Sequence, residues 1–81
     1  MDQERIRKNV KLAIANVLSM EADQVEDEAR FREDLELDSL ARVEVMVEIE
    51  RLLEFEFPGD AMPEGTETVN DAVRVIQEIG K

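Results

Sequence analysis

Three stretches of this chain place apolar residues every three or four positions, and this spacing constrains the fold more than any other feature of the sequence. The first stretch comprises Ile6, Val10, Ala13, Ile14, Val17 and Leu18. The second runs from Ser39 to about Leu53, and the third comprises Val69, Ala72, Val73, Ile76 and Ile79. Each predicts an amphipathic helix, whereas nothing predicts a strand with similar force. We therefore expect an all-α protein built as a small helical bundle.

Size and composition limit what such a bundle can do. The 81 residues suffice for a single domain, 1–81, and no repeat or linker divides them. The chain has no Cys and no His, so it lacks a thiolate, a serine–histidine pair and the commonest metal ligands. A net charge of −11 disfavours nucleic acid and anionic membranes as partners. The charged N-terminus is typical of neither a signal peptide nor a membrane anchor, and we expect a cytoplasmic protein without a metal site.

The connection between the first two helices is long and acidic. Residues 21–38 contain nine acidic and two basic residues and show no sustained periodicity. Most such charge runs are solvated loops, but a loop of this length is uncommon unless it packs or functions. We therefore expect its apolar residues to pack against the bundle; these are Val25, Phe31, Leu35 and Leu37.

Residues that begin and end helices complete the outline. Asp38 stands in the N-cap position of the second helix, and Thr68 with Asp71 is typical of the capped start of the last one. Between residues 60 and 67, Pro63 and Gly65 allow only a short or irregular third helix.

The second helix has two different faces. At about 100° per residue, one arc collects the residues that we expect in the core, namely Val43, Met46, Ile49 and Leu53. Another arc collects Leu40, Glu44, Val47, Glu48 and Arg51. Exposed aliphatic residues are common on ordinary surfaces. Next to Ser39, however, Leu40 and Val47 also fit a strip on which a partner helix or a basic cleft docks.

Ser39, at the start of the second helix, has three interpretations. A catalytic nucleophile is disfavoured because the chain offers neither a His nor an obvious nearby Lys as a base. An ordinary first helical residue is acceptable on helix rules alone. The third interpretation is an acceptor for a group that another enzyme attaches, particularly a phosphoryl group, because a helix N-terminus tolerates that charge.

The segment around this serine resembles the acyl carrier protein family, which is marked by Asp-Ser-Leu at the start of the second helix of a four-helix bundle. The resemblance depends on an ordered set of positions that, with the first helix, covers essentially the whole chain. These positions are Phe31, Asp34-Leu35, Asp38-Ser39-Leu40, Val43-Glu44, Phe57-Pro58, Thr68-Val69 and Asp71-Ala72-Val73. It implies a four-helix bundle of acyl-carrier type, with a long loop between the first two helices and a short or irregular third helix.

The resemblance also implies a function. Ser39 would carry 4'-phosphopantetheine, transferred from coenzyme A by a separate magnesium-dependent phosphopantetheinyl transferase, with Asp38 assisting. The non-catalytic, monomeric carrier would hold acyl groups as thioesters and deliver them to acyl transferases, ketosynthases or related enzymes of fatty acid or polyketide biosynthesis. Partner enzymes would bind Leu40, Glu44, Val47, Glu48 and Glu50. An acyl chain would enter a pocket lined by Phe31, Val43, Met46, Ile49, Leu53, Phe57 and Ile76, although ordinary core packing explains the same residues.

Three features depart from the family pattern, and two alternative functions are weighed beside the acyl carrier. Glu36 stands where many members have Gly, Arg42 and Arg51 interrupt an acidic helix, and Pro63 with Gly65 alters the usual third helix. A peptidyl or aminoacyl carrier remains an alternative, although such domains approach the serine through a Gly-rich segment that this chain lacks. An unmodified acidic adaptor that binds a partner helix is the other. An EF-hand is excluded because no glycine of the chain has the required oxygen ligands around it.

Overall fold

Helix α1, Gln3–Leu18, is the first element of the computed structural model, which describes residues 2–59 and 62–80. The Asp2 side chain caps the helix by accepting a hydrogen bond from the Glu4 N–H at 3.0 Å. The helix ends at Ser19, whose left-handed backbone, with φ of 57°, lets its N–H donate to the Ala15 carbonyl. The predicted apolar face is largely confirmed: Ile6, Val10, Ala13 and Ile14 are buried, and Val17 and Leu18 are partly buried.

Two further helices pack on α1. Helix α2 spans Ser39–Leu53 and helix α3 spans Val69–Ile79. In the described residues, α1 contacts both of them, whereas the backbones of α2 and α3 do not approach each other closely. The predicted face of α3 is confirmed, with four of its five residues buried, namely Val69, Ala72, Val73 and Ile76. Helix α1 therefore forms the centre of the core, and α2 and α3 each pack on it. We call the space between α2 and α3 the seam.

The start of α3 is held by a reciprocal cap, as its sequence predicts. The Asp71 N–H donates to Thr68 Oγ1, and the Thr68 N–H donates to Asp71 Oδ2, both at 3.1 Å. Two backbone donors that would otherwise lack partners are thereby satisfied.

The buried residues of α2 correct one prediction. The helix buries Val45, Met46, Ile49 and Leu53, whereas Val43 is exposed. At 100° per residue, Val43 lies about 40° from Val47 and about 120° from Ile49, so it belongs to the outer side of the helix. The prediction that Val43 lies in the core was wrong. Residues spaced three or four apart shift gradually around the helix axis, because a turn has about 3.6 residues, so the first residue of the series does not share the buried face of the later ones.

The acidic connection between α1 and α2 packs against the bundle as predicted. It contains a short 3-10 helix, Ala22–Gln24, and it buries Val25, Phe31 and Leu37 and partly buries Leu35. The Phe31 N–H donates to the Glu67 carbonyl at 2.8 Å, and the Val69 N–H donates to the Ala29 carbonyl at 3.1 Å. These bonds hold the connection against the start of α3 and so fix the approach to Ser39.

Basic residues of α1 compensate part of the acidic connection. Lys11 Nζ lies 2.5 Å from Asp27 Oδ1, and Arg7 lies 3.5 Å from the same oxygen. The hydrogen bond from Lys11 is the main cause that holds the pKa of Asp27 below its usual value. The carboxylate of Asp27 is therefore neutralised within the fold, and less of the negative charge of the loop is available to partners.

The segment before α3 departs from the predicted third helix. Residues 60 and 61 lie outside the described residues, and residues 62–67 form a turn without a helix. The Thr66 N–H and hydroxyl both donate to the Pro63 carbonyl, at 3.3 and 2.7 Å, and Gly65 has a left-handed backbone with φ of 88°. A positive φ ends any helical run at that residue. The described chain is therefore all-α, as expected, with three helices and a 3-10 turn in place of four helices.

Candidate functional site

The site begins with Asp38, which fixes the N-terminal end of α2. Its backbone is extended, and its Oδ1 accepts a hydrogen bond from the Ala41 N–H at 2.8 Å. This is the N-cap that the sequence predicts, and it holds the first turn of the helix in place. The neighbouring Ser39 therefore has a defined position at the start of the helix.

Ser39 is exposed at this helix end. In the described part of the chain its hydroxyl makes no hydrogen bond, and the sequence contains no histidine to act as its base. Ser39 lines a shallow apolar hollow of about 250 Å³ with Arg42, Val43 and Met62. An accessible hydroxyl beside an open hollow can accept a group from another enzyme, but it is not equipped to attack a substrate by itself.

Ser39 also lines a second hollow of about 400 Å³, on the side of the acidic connection. The other residues around this hollow are Arg32, Glu36, Leu37, Asp38 and Arg42. Glu36 has a left-handed backbone, with φ of 53°, at the position where the sequence lacks the family glycine. A non-glycine residue in this conformation costs about 1–2 kcal/mol. The backbone conformation just before Ser39 therefore lowers the free energy of unfolding.

Arg42 has a role that the sequence did not reveal. Its Nη2 donates to the Thr66 carbonyl at 3.0 Å, and its guanidinium carbon lies 5.9 Å from the centre of the Phe31 ring. The side chain thus ties α2 to the turn before α3 while still lining both hollows beside Ser39. The sequence indicated only that Arg42 interrupts an acidic surface, because its distant contacts are not visible in local spacing.

An apolar stripe lies on the outer side of α2. Leu40, Val43 and Val47 are 70, 40 and 53% exposed, respectively. The prediction that Leu40 and Val47 are exposed is confirmed, and Val43 joins them. We call these three residues the α2 stripe; because they are contiguous on one helix face, they form a larger apolar surface than scattered exposed residues would.

The acidic residues near the α2 stripe differ in what they contact. Glu48 accepts hydrogen bonds from Arg51 at 2.9 and 3.0 Å and from Asn16 of α1 at 3.0 Å. These bonds, chiefly those from Arg51, lower the pKa of Glu48 to about 2. Glu50 accepts from the Phe57 N–H at 2.9 Å. Glu44 makes no such contact with any described residue, so its charge is the most available of the three.

The residues expected to line an acyl pocket fall into two groups. Six of them are buried members of one core cluster, namely Phe31, Met46, Ile49, Leu53, Phe57 and Ile76. Val43 instead lies at the surface and lines the apolar hollow with Ser39. These six residues therefore pack as ordinary core residues. They lie on both sides of the seam between α2 and α3.

The described residues provide neither a metal-binding cluster nor a membrane-spanning helix. Among residues 2–59 and 62–80, no cluster of three or more acidic side chains is arranged to hold a metal ion. No helix in the same ranges has the length and apolar character needed to cross a bilayer.

Comparison with known proteins decides the family. The sequence profile of the family described as "Phosphopantetheine attachment site" matches residues 8–76. The chain is also 38% identical over 77 residues to an acyl carrier protein from Prochlorococcus marinus (strain MIT 9515), and the match covers 95% of each protein. The chain belongs to the acyl carrier protein family. Its cofactor is accordingly a covalently attached 4'-phosphopantetheine, as the sequence resemblance implied.

The site has the features that this cofactor of acyl carrier proteins requires. A phosphate ester needs an accessible hydroxyl and room for a flexible arm, and Ser39 combines an exposed position with two open hollows. The guanidinium groups of Arg32 and Arg42 border one of these hollows and offset the nearby carboxylates. Membership in this carrier family also weakens the alternative of an unmodified adaptor.

Proposed function

We propose that this carrier holds its 4'-phosphopantetheine on Ser39 and uses the arm to carry acyl groups as thioesters, acting as one carrier domain over residues 1–81. The observation that carries the proposal is the exposed Ser39 hydroxyl at the capped start of α2. The arm supplies the thiol on which acyl groups are held, which the chain cannot provide because it contains no Cys. The chain itself supplies a fixed attachment point and a surface that partners bind.

Attachment requires a separate phosphopantetheinyl transferase that uses coenzyme A and magnesium, because Ser39 has no base of its own. Asp38 holds the helix end through one carboxylate oxygen, and its second oxygen can contribute to the metal site of the bound transferase. The chain performs no catalysis in this scheme.

Partner enzymes bind the surface of α2 next to Ser39. The α2 stripe provides apolar area, and Glu44, Glu48 and Glu50 border it with negative charge. Acidic surfaces that meet basic ones raise association rates without a large dry interface, which suits a carrier that serves several enzymes in turn. The partners that we propose are acyl transferases and ketosynthases of fatty acid or polyketide biosynthesis, working with a cytoplasmic monomer.

The same arrangement suggests how an acyl chain is sheltered. Helices α2 and α3 each pack on α1, and their backbones do not approach each other closely within the described residues. The seam can therefore widen without breaking a direct backbone contact between them. Val43, in the apolar hollow beside Ser39, lies at the entrance in this proposal, and the buried Met46, Ile49 and Ile76 lie deeper.

The experiment that tests this function is acyl loading followed by chemical release. The chain is incubated with an acyl-coenzyme A, magnesium and a broad-specificity transferase, and its intact mass is measured. We expect one acyl-phosphopantetheine group per chain, and hydroxylamine treatment then removes the acyl group but leaves the arm. A mass unchanged by loading would contradict the carrier function, and an acyl group resistant to hydroxylamine would contradict the thioester.

A further inference from the structure

Two arginines border the hollow next to Ser39 without a carboxylate partner. Among the described cations, Arg7, Lys11, Arg30, Arg51 and Arg74 form ion pairs. Within the same described ranges, Arg5 and Lys8 on α1 form none. The two other described cations without an ion pair are Arg32 and Arg42. Both line the hollow of about 400 Å³ to which Ser39 also belongs. Two guanidinium groups without a carboxylate partner therefore border the same hollow as Ser39.

Two contacts already fix the side chain of Arg42, so the side chain would not have to become ordered when it binds an anion. The Thr66 carbonyl accepts one of its N–H groups at 3.0 Å, and the Phe31 ring lies beneath the guanidinium at 5.9 Å. A guanidinium carries five N–H donors, so several remain for another ligand, and their planar arrangement matches phosphate oxygens. Fixing the side chain in advance reduces the entropy lost on binding.

The charges around the hollow indicate what the arginines accommodate. Glu36 and Asp38 also border it, and their carboxylates would repel a phosphate group at Ser39. Two guanidinium groups on the same hollow offset these two negative charges. The nearest anion that a modified Ser39 would present to them is the phosphodiester of the arm.

We propose that Arg32 and Arg42 bind the phosphodiester of the 4'-phosphopantetheine arm and hold the start of the arm on the side of Ser39 opposite Leu40. Arg42 follows Ser39 by three residues, so the two lie near each other on the helix, and Arg42 lies on the opposite side of Ser39 from Leu40. The start of the arm would then leave Leu40 uncovered for partners, and Arg42 also lines the hollow with Val43, the proposed entrance for an acyl chain. This inference rests on the proposed attachment at Ser39, and Arg32 and Arg42 are positioning residues in it.

Nuclear magnetic resonance of the modified protein tests the proposal. The phosphorus resonance of the folded holo protein is compared with that of the same protein unfolded in urea, and intact mass verifies that the arm is present. We expect the folded resonance to be displaced from the unfolded one, and we expect Arg32→Gln to move it at least halfway back. The Arg5→Gln variant is the control, because Arg5 is an exposed arginine on α1.

A second measurement tests Arg42 without replacing it, because its contacts with Thr66 and Phe31 also support the fold. The side-chain Nε–Hε signals of Arg32 and Arg42 are compared between the unmodified and modified wild-type chains, with Arg5 and Arg74 as references. Shifts confined to Arg32 and Arg42 support the proposal. If the arm is present by mass but neither the phosphorus nor the arginine signals differ, the proposal is wrong although the attachment stands. If no arm is added at all, the proposed function itself fails.

Discussion

At the scale of single residues, the two serines of the chain show why surroundings matter more than exposure. Ser19 and Ser39 are both exposed. Ser19 ends α1 in a left-handed conformation, whereas Ser39 begins α2 beside the Asp38 cap and lines two hollows. Room for an arm and nearby arginines distinguish Ser39, and neither property follows from the hydroxyl group alone.

The structure buries Val45, whereas the sequence analysis placed Val43 in the core. This difference leads to a prediction about the stability of two variants. Val45→Ala leaves a cavity in the core and should lower the free energy of unfolding by about 1–3 kcal/mol. Val43→Ala removes an exposed side chain and should change it by less than about 0.5 kcal/mol. Urea unfolding of both variants measures the difference, and equal losses would contradict the arrangement of α2.

At the scale of elements, α2 is both a structural and a functional helix. Its buried side packs on α1, and its outer side presents the α2 stripe. Glu48 belongs to both roles, because it is bonded to Arg51 within the helix and to Asn16 of α1. Replacing Glu48 is therefore expected to alter stability as well as docking, which makes Glu44 the better test of docking alone.

The lowered pKa of Glu48 predicts a pH-dependent contribution to stability. Because the pKa falls from 4.5 to about 2 on folding, the ionised carboxylate favours the folded state above about pH 5, and this contribution is lost as the pH falls towards 2. Glu48→Gln should lower the free energy of unfolding by about 0.5–1 kcal/mol near neutral pH, a small amount because solvent screens the pair. The gap from wild type should narrow below about pH 4.5 and close only as the pH approaches about 2. A gap that stays constant would contradict the contacts of Glu48, and Glu44→Gln serves as the control.

Charge reversal at Glu44 tests the docking surface. Glu44→Arg should raise the KM of a phosphopantetheinyl transferase for the carrier several-fold and leave the melting temperature nearly unchanged, because Glu44 is exposed and unbonded within the described residues. Glu26→Arg, an exposed reversal in the acidic connection, makes the matched control. Similar KM values for the two variants would place docking elsewhere.

The sequence predicted those elements that local physics determines. The helices, the Asp38 and Thr68 caps and the packing of Phe31 and Leu37 follow from spacing, capping chemistry and apolar character. What it missed depends on contacts between distant segments. The bond from Arg42 to the Thr66 carbonyl spans 24 residues, and the bond from Asn16 to Glu48 spans 32. No local pattern encodes such pairs.

At the scale of the whole molecule, the charge is distributed unevenly. Basic residues of α1 pair with Asp27, nine of the 21 acidic residues fall in residues 21–38, and the net charge of the chain is −11. Such a field attracts basic partners over roughly one Debye length, about 10 Å at 0.1 M salt. It also makes the folded chain repel itself.

This field predicts two opposite effects of salt. Raising the ionic strength should raise the KM of a transferase for the carrier, because the attraction is screened, and should raise the melting temperature, because the self-repulsion is screened as well. Steady-state kinetics and thermal unfolding over the same salt series measure both. A KM that is independent of salt would contradict electrostatic docking.

The central claim is that the hydroxyl of Ser39 is the attachment point of the arm. The most direct measurement is the intact mass of wild-type, Ser39→Ala and Ser19→Gly proteins after incubation with coenzyme A, magnesium and a phosphopantetheinyl transferase. Glycine suits the left-handed backbone of residue 19, so the control removes the other serine hydroxyl without strain. We predict that wild type and Ser19→Gly each gain one phosphopantetheine and that Ser39→Ala gains none. Modification of Ser39→Ala, or none of wild type, would contradict the account.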